Sequence, residues 1–448
     1  MGAVAPLPSL GPPVRVQDAA VDTITELPEQ AEMRDIRMKG FVARADVEDV
    51  ERLLERVVRR LASEPVPLLE CAGRVLAADV ASSVDVPGFA RAAMDGYAVR
   101  GEDTFGASPY NRLPLELSGE SFPGRAPSAR VEAGHAMRVM TGAPVPDGAN
   151  AVIMAEVCEE RDGRVLVSDA VAPGKNVDRV GEDIRSGDVA LRNGRRLRPQ
   201  DAGLLAAIGC AEVSCVRRPR VRLVITGNEL LPPGSVPAGS RIVDSNSVML
   251  RSLVARDGGE VLPFEILPDD ATRIRAALQS ADADVVLVSG GSSVGEDDLA
   301  PRLVAELGSL DVHGIAMRPS SPAGFGRIAD RLVFLLPGNP VSCLCAYEFF
   351  AGPSIRRLGG RPSAWPHRRR RLPLARKIVS VIGRTDYVRV AIENGRAVPL
   401  ATSGASILSS TVRASGAVIV PQALEGMSEG TEVEVLLYDD EPPPSSEP

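Results

Sequence analysis

The chain has 448 residues, of which 44% are hydrophobic and 25% charged, and it carries a net charge of −8. That length leaves room for about two to four domains with cores of their own, and the composition is that of a soluble globular protein. The acidic balance argues against an extended nucleic-acid surface, and no apolar run reaches the ~20 residues needed to span a bilayer. With only three histidines (His135, His313, His367), catalysis is expected to rest on carboxylates, hydroxyls, Arg or Lys. The six cysteines lack zinc-ligand spacing and are expected to be reduced thiols of a cytoplasmic protein. No basic segment followed by an apolar stretch opens the chain, so no secretion signal is expected.

Residues 1–40 are rich in Pro and small residues and are expected to form a disordered leader. From Val47, the apolar residues Val50, Leu53, Leu54, Val57, Val58 and Leu61 recur at helical spacing, with Asp46 as an N-cap. Pro87 and Gly88 forbid a long helix in the next stretch, and Asp95-Gly96 marks a tight turn between Met94 and Tyr97. From about Phe105 to Asp183 short β-like runs are broken by Gly and Pro, which reads as a small β module. A second helix over 201–208, closed by Gly209, is expected to return and pack on the first.

From Arg220 the pattern alternates strands (221–226, 260–267, 284–289, 332–336) with helices (247–256, 271–280, 299–307, 341–358). Such alternation predicts a parallel sheet with helices on both faces, and ligands of these sheets bind beyond the carboxyl ends of the strands. Polar clusters fall at those ends: Thr226-Gly227-Asn228-Glu229, Ser289 to Asp298, and Pro337-Gly338-Asn339-Pro340, with Asp244-Ser245-Asn246 before a helix. The valine-rich run 285–288 ends in Ser289-Gly290-Gly291, where glycines allow close backbone approach and unpaired N–H groups attract anions. The adjacent carboxylates Asp297 and Asp298 suggest a cation beside that anion cradle. After Gly360 come a basic run (367–371), read as a solvated linker, and alternating runs read as a small β domain.

Taken in order, eight stretches resemble the molybdopterin molybdenumtransferase family, the type that includes the gephyrin E domain. They are Met94-Asp95-Gly96-Tyr97-Ala98, Thr141-Gly142-Ala143-Pro144, Gly181-Glu182-Asp183-Ile184 and Thr226-Gly227-Asn228-Glu229-Leu230. The remainder are Asp244-Ser245-Asn246, Ser289-Gly290-Gly291-Ser292-Ser293-Val294-Gly295, Pro337-Gly338-Asn339-Pro340-Val341-Ser342 and Gly383-Arg384-Thr385-Asp386. The resemblance implies an elongated homodimer of multidomain α/β-plus-β subunits. Its expected parts are a helical N-terminal domain (41–106 and 184–218), an inserted β domain (107–183), a three-layer α/β molybdopterin-binding domain (219–362), a C-terminal β domain (363–440) and a disordered tail (441–448). It also implies insertion of molybdate into adenylylated molybdopterin, with Mg²⁺ required and AMP released. Asp298, Asp244 and Glu229 are the implied metal ligands. Asp95, Thr141 and Asp183 are the implied contribution of the partner subunit's face of the cleft. Gly290, Gly291, Ser293, Gly295, Pro337, Gly338, Asn339 and Pro340 are the implied phosphate and pterin binders. Where the family shows Pro-Gly-Lys-Pro, this chain has Pro319-Ser320-Ser321-Pro322, and a second family lysine aligns near Pro301. Arg318 and Arg384 then remain as cations for the oxyanion, with Ser320, Ser321 and Ser406 as hydroxyls. The alternative reading is a non-catalytic relative that binds or carries molybdopterin or the finished cofactor. Partners expected besides a second copy are the upstream adenylyltransferase and recipient molybdoenzymes, with no nucleic acid and no membrane.

Overall fold

The computed structural model describes residues 44–290, 299–401 and 404–439. Helix α1 (Val47–Val57) forms where the apolar spacing places it, and Val47, Val50, Leu54 and Val58 are buried. They join a core with Leu223, Phe334, Tyr347 and Phe349, so α1 packs on the α/β part of the chain. Helix α2 (Pro199–Ala207) instead sends Leu205 and Ile208 into a separate core with Val66, Leu76 and Val213. The expected packing of α2 on α1 is therefore corrected. Among the described residues before 219, α1 and α2 are the only α-helices, and strands and short 3₁₀ turns make up the other regular elements. The N-terminal region is β-rich rather than helical, because Pro and Gly punctuate it too often for longer helices.

The β module is a six-stranded sheet that takes in residues 96–99, from before the expected boundary at 107. Asp95-Gly96 is thus the entry to a strand between two neighbours, not the tip of a hairpin. A Cβ on Gly96 would lie 2.0 Å from the carbonyl oxygen of Ile153, so the position admits glycine alone.

The α/β part holds strands β1 (Arg220–Thr226), β2 (Glu260–Val261), β3 (Ile266–Leu267), β4 (Val285–Ser289), β5 (Ser309–His313), β6 (Gly324–Ile328) and β7 (Arg331–Leu336). Their order is β2-β1-β4-β7-β6-β5, with β3 beside β1. Strands β1, β4 and β7 are parallel, and β6 and β5 extend the sheet antiparallel. The full burial of Val285 to Val288 follows from helices on both faces. Leu223, Leu287 and Phe334 pack with helix α3 (Asn246–Arg256) on one side, and Val224, Val286 and Val333 pack with α4 (Ala271–Gln279) and α5 (Leu299–Leu307) on the other.

Two details differ from the sequence reading. The expected strand 260–267 is split into β2 and β3 around Pro263, which has no N–H to donate to a ladder. Strands β5 and β6 were not among the expected elements. The glycines of β6 serve close strand approach: a Cβ on Gly326 would lie 2.4 Å from the Ser309 carbonyl oxygen.

The long helical stretch after β7 comprises α6 (Pro340–Ala346), a π-helical segment (Tyr347–Ala351) and α7 (Gly352–Leu358). The π segment buries Glu348, which receives both terminal nitrogens of Arg256 at 2.6 and 2.9 Å and faces His367 at 3.4 Å. Burial pushes the Glu348 carboxyl up, but His367 and Arg256 outweigh it and hold the group down to about 2. A depressed carboxyl stabilises the fold above its unfolded value near 4.5 and loses that contribution as pH falls toward 2. Melting temperature should therefore drop steeply between those values, and Glu348→Gln should flatten this acid limb in calorimetric scans.

A C-terminal sheet follows, in the order 317–318, 385–393, 416–420, 432–437, 369–373, with 396–401 beside 385–393. Its first pairing is decisive for the site. Met317 and Arg318 run parallel to Thr385 and Asp386, which sets Arg318 beside Asp386 although 68 residues separate them. Among the described residues no helix is long and apolar enough to cross a membrane.

Candidate functional site: strand ends and an adjoining cleft

The carboxyl ends of β1, β4 and β7 meet at Thr226, Ser289 and Pro337. Gly290 turns the chain there at φ +103°, and a Cβ on it would lie 2.2 Å from the Thr226 carbonyl oxygen. Asn246, at the start of α3, ties the ends together: its amide donates to Ser289 Oγ at 2.9 Å and to the Gly338 carbonyl at 2.7 Å. Because a carbonyl only accepts, this fixes the amide orientation and leaves Asn246 Oδ1 as a buried acceptor without a partner.

Asp244 is 4% exposed, and its Oδ1 accepts from the backbone N–H groups of Asn246 and Ser247 at 2.9 and 3.1 Å. This is a helix-capping role. Among the described residues its other oxygen, Oδ2, is buried without a partner, as is Thr226 Oγ1. Buried polar atoms are nearly always satisfied, so these orphaned oxygens are atoms a ligand would satisfy. Oxygen donors of this kind suit a hard cation such as Mg²⁺, which needs only one or two carboxylates beside phosphate and water. Of the expected metal trio, Asp244 and Glu229 fall within the described residues. Glu229 is exposed, with its carboxylate folded against Gly227, Asp298 lies outside the described residues, and no group of three or more His, Cys, Asp or Glu gathers among the described ones. Gly291, Ser293 and Gly295 also lie outside them.

Beside the strand ends opens a cleft of about 330 Å³ whose lining includes Arg318, Ser320, Ser321, Pro337, Asn339 and Arg389. Arg318 Nη2 reaches Asp386 Oδ2 at 2.5 Å and Arg384 Nε lies 3.0 Å from Asp386 Oδ1, so both expected cations converge on one carboxylate. Burial pushes the pKa of Arg389 down. Ser320 has φ +88°, the left-handed region that glycine occupies without strain, and its hydroxyl donates to the Ser342 carbonyl at 2.5 Å. That bond commits the hydroxyl's proton to α6. Ser321 Oγ is buried without a partner and is the better placed of the two. Ser406 is exposed and does not line the cleft, although its neighbours Gly404 and Ala405 do. Pro340 starts α6, and Gly338 stands close to Gly290, a Cβ on it being 3.7 Å from Gly290 Cα.

In the β module, Asp95 Oδ1 accepts from both the backbone N–H and the hydroxyl of Thr141 at 2.7 Å. Those two bonds hold the Asp95 carboxyl below its usual range. The structure thus brings Asp95 and Thr141 together, and neither lines the cleft of its own chain. Asp183 is exposed, with its N–H bonded to the Val86 carbonyl, and has no bond to that pair.

Sequence reasoning gave no role to Thr226, Asn246, Asp386 or Arg389. Asn246 and Asp386 stood inside quoted motifs, but their partners lie 43 to 92 residues away, and only the register of the sheets brings them together.

Comparison with known proteins covers most of the chain. Residues 45–209 fit the family model "MoeA N-terminal region (domain I and II)", 222–357 fit "Probable molybdopterin binding domain", and 371–438 fit "MoeA C-terminal region (domain IV)". The chain is 34% identical to molybdopterin molybdenumtransferase 2 of Mycobacterium tuberculosis, over 87% of this chain and 98% of that one. It is 36% identical to the molybdopterin molybdenumtransferase of Haemophilus influenzae, over 69% of this chain and 76% of that one. A crystal structure of the molybdopterin biosynthesis MoeA protein from Pyrococcus horikoshii is 34% identical and superposes with a TM-score of 0.73, covering 88% of this chain and all of that one.

Proposed function

This chain belongs to the MoeA family and acts as a molybdopterin molybdenumtransferase; we propose that it inserts molybdate into adenylylated molybdopterin, releasing AMP and yielding the molybdenum cofactor. The observation that carries this reading is the convergence of Arg318, Ser321, Pro337 and Asn339 on one cleft, next to the Gly290 turn and the orphaned oxygens of Asp244 and Asn246. The glycine turns offer backbone N–H groups to phosphates. The cleft offers guanidinium and hydroxyl donors to a tetrahedral oxyanion, and a guanidinium fork suits such an anion. Bound Mg²⁺ would neutralise phosphate charge, with Asp244 as its ligand on this chain and Asp298 and Glu229 as further candidates.

The chain's own groups otherwise position the substrate. Adenylate cleavage needs alignment and charge neutralisation more than a strong base, so the scarcity of histidine is no obstacle. We place Asp95 and Thr141 opposite the cleft of a second subunit, as the family resemblance implies; the hydrogen-bonded pair lies outside the cleft lining of its own chain. A homodimer is the consequence, and light scattering on active protein tests it: full activity in a monomer would contradict it. The functional reading is tested by complementing a host that lacks its own transferase. Restored molybdoenzyme activity supports it, and failure at every molybdate concentration favours the pterin carrier.

Ser321 offers a neutral hydroxyl where the family offers a lysine. Charge-assisted hydrogen bonds are about twice as strong as neutral ones, a difference on the order of 1–2 kcal/mol, or roughly 5- to 30-fold in affinity. Ser320→Gly removes both a left-handed strain and one hydrogen bond, and these offset within about 1 kcal/mol. The double variant Ser320→Gly, Ser321→Lys should therefore fold and lower the molybdate concentration for half-maximal AMP release by roughly 5- to 30-fold. An unchanged requirement would show that Ser321 does not face the oxyanion.

A further inference from the structure

Two guanidinium groups pointing at one place repel each other unless an anion sits between them. Arg318 and Arg384 come from segments 66 residues apart in number, and both keep part of their side chain in solvent, 31% and 29%. The parallel pairing of 317–318 with 385–386 brings their backbones side by side but does not by itself aim their side chains. The group that does so is Asp386, with a side chain 1% exposed: one oxygen takes Arg318 at 2.5 Å and the other lies 3.0 Å from Arg384. Ser380 Oγ donates to the Arg318-bound oxygen at 2.8 Å and fixes the carboxylate from behind. The parallel pairing of 317–318 with 385–386 places Asp386 at the edge of the cleft that Arg318 lines.

We infer that Asp386 is a positioning residue for the oxyanion: it gathers Arg318 and Arg384 into a single donor set at the cleft and leaves one net positive charge over the three groups. The inference rests on the molybdate reading above. Asp386 does not touch the anion. Its charge is spent on the two guanidinium groups, and the forks keep their remaining N–H groups for an incoming tetrahedral ligand. A competing effect must be weighed, because removing Asp386 raises the local charge by one and by itself would attract an anion. The loss of convergence outweighs it, since two partly exposed, mutually repelling guanidinium groups swing into water, where their charge is screened.

The test is steady-state AMP release by the full chain, with molybdate varied. Asp386→Asn keeps the shape but removes the charge that holds both guanidinium groups, and the molybdate KM should rise about tenfold. The kcat at saturating molybdate should stay within about twofold, because the anion, once bound, restores the missing charge between the forks. Asp386→Glu retains the charge one methylene further out and should give an intermediate KM, so it serves as readout should the Asn variant fail to fold. In an Arg318→Ala, Arg384→Ala background, Asp386→Asn should raise KM no further, whereas a merely structural role would still lower kcat and melting temperature there. A KM that is unchanged or lower in both single variants, with wild-type protein using molybdate, overturns the inference. A wild type that releases no AMP at any molybdate concentration overturns the functional reading instead.

Discussion

Asp244→Asn should leave the protein folded and reduce AMP release roughly a hundredfold, the upper end of what a lost group in a ligand shell costs. The two oxygens of Asp244 do different work. Oδ1 accepts two backbone N–H groups at the start of α3, and the amide oxygen of asparagine can keep both bonds. Among the described residues Oδ2 is buried with no partner, and in the variant an N–H donor replaces that acceptor. The substitution thus removes an acceptor from the site while sparing the cap. Asp244→Ala loses both, and its melting temperature should fall as well, by the equivalent of about 1–2 kcal/mol for a lost cap. Comparing kcat/KM and melting temperature for the two variants separates the roles. Near-native turnover in Asp244→Asn would reduce Asp244 to a helix cap.

Asp257→Ala should destabilise the α/β part by about 3–5 kcal/mol, the cost of breaking a buried ion pair from one side. Asp257 is 1% exposed and closes α3 by gathering Arg356 at 2.8 Å, Arg256 at 2.9 Å and the Tyr347 hydroxyl at 3.0 Å. Arg356 is 4% exposed, so its charge cannot reach water once Asp257 is gone. The substitution should lower the melting temperature by about 10 °C on the scale expected for a unit of this size. Removing the charge on both sides, as Asp257→Asn with Arg356→Met, should recover much of the loss, because no uncompensated Arg356 charge is then left buried. Neither residue lines the cleft, so KM for both substrates should be unchanged in protein assayed well below its melting point. A loss below about 1 kcal/mol would mean that the network is hydrated and carries little of the fold's stability.

The alternating half of the chain was legible because a strand buried on both faces must be apolar throughout, as Val285 to Val288 are. Helix α5 was read with the bounds the structure shows. Strands β5 and β6 were missed, since Gly324 and Gly326 look like loop until the neighbouring backbone is in place. The packing of α1 was misjudged for a related reason: an apolar stripe shows that a helix is buried but not against what. In the site, Pro337 and Asn339 were legible as turn chemistry and Arg318 as a cation near a departed lysine. Asp386 was not given a role, because its meaning lies in a pairing between strands 68 residues apart. The bond from Ser320 to the Ser342 carbonyl was not legible, since the direction of a hydroxyl at φ +88° is set by the turn and not by residue type.

The central claim is that this chain couples molybdate to cleavage of the adenylate. Its most direct measurement is AMP release by the purified protein from adenylylated molybdopterin with Mg²⁺, with and without molybdate. The account predicts AMP released in step with molybdate, with molybdenum bound to the pterin product. Tight retention of the intact adenylate with no AMP at saturating molybdate would contradict it.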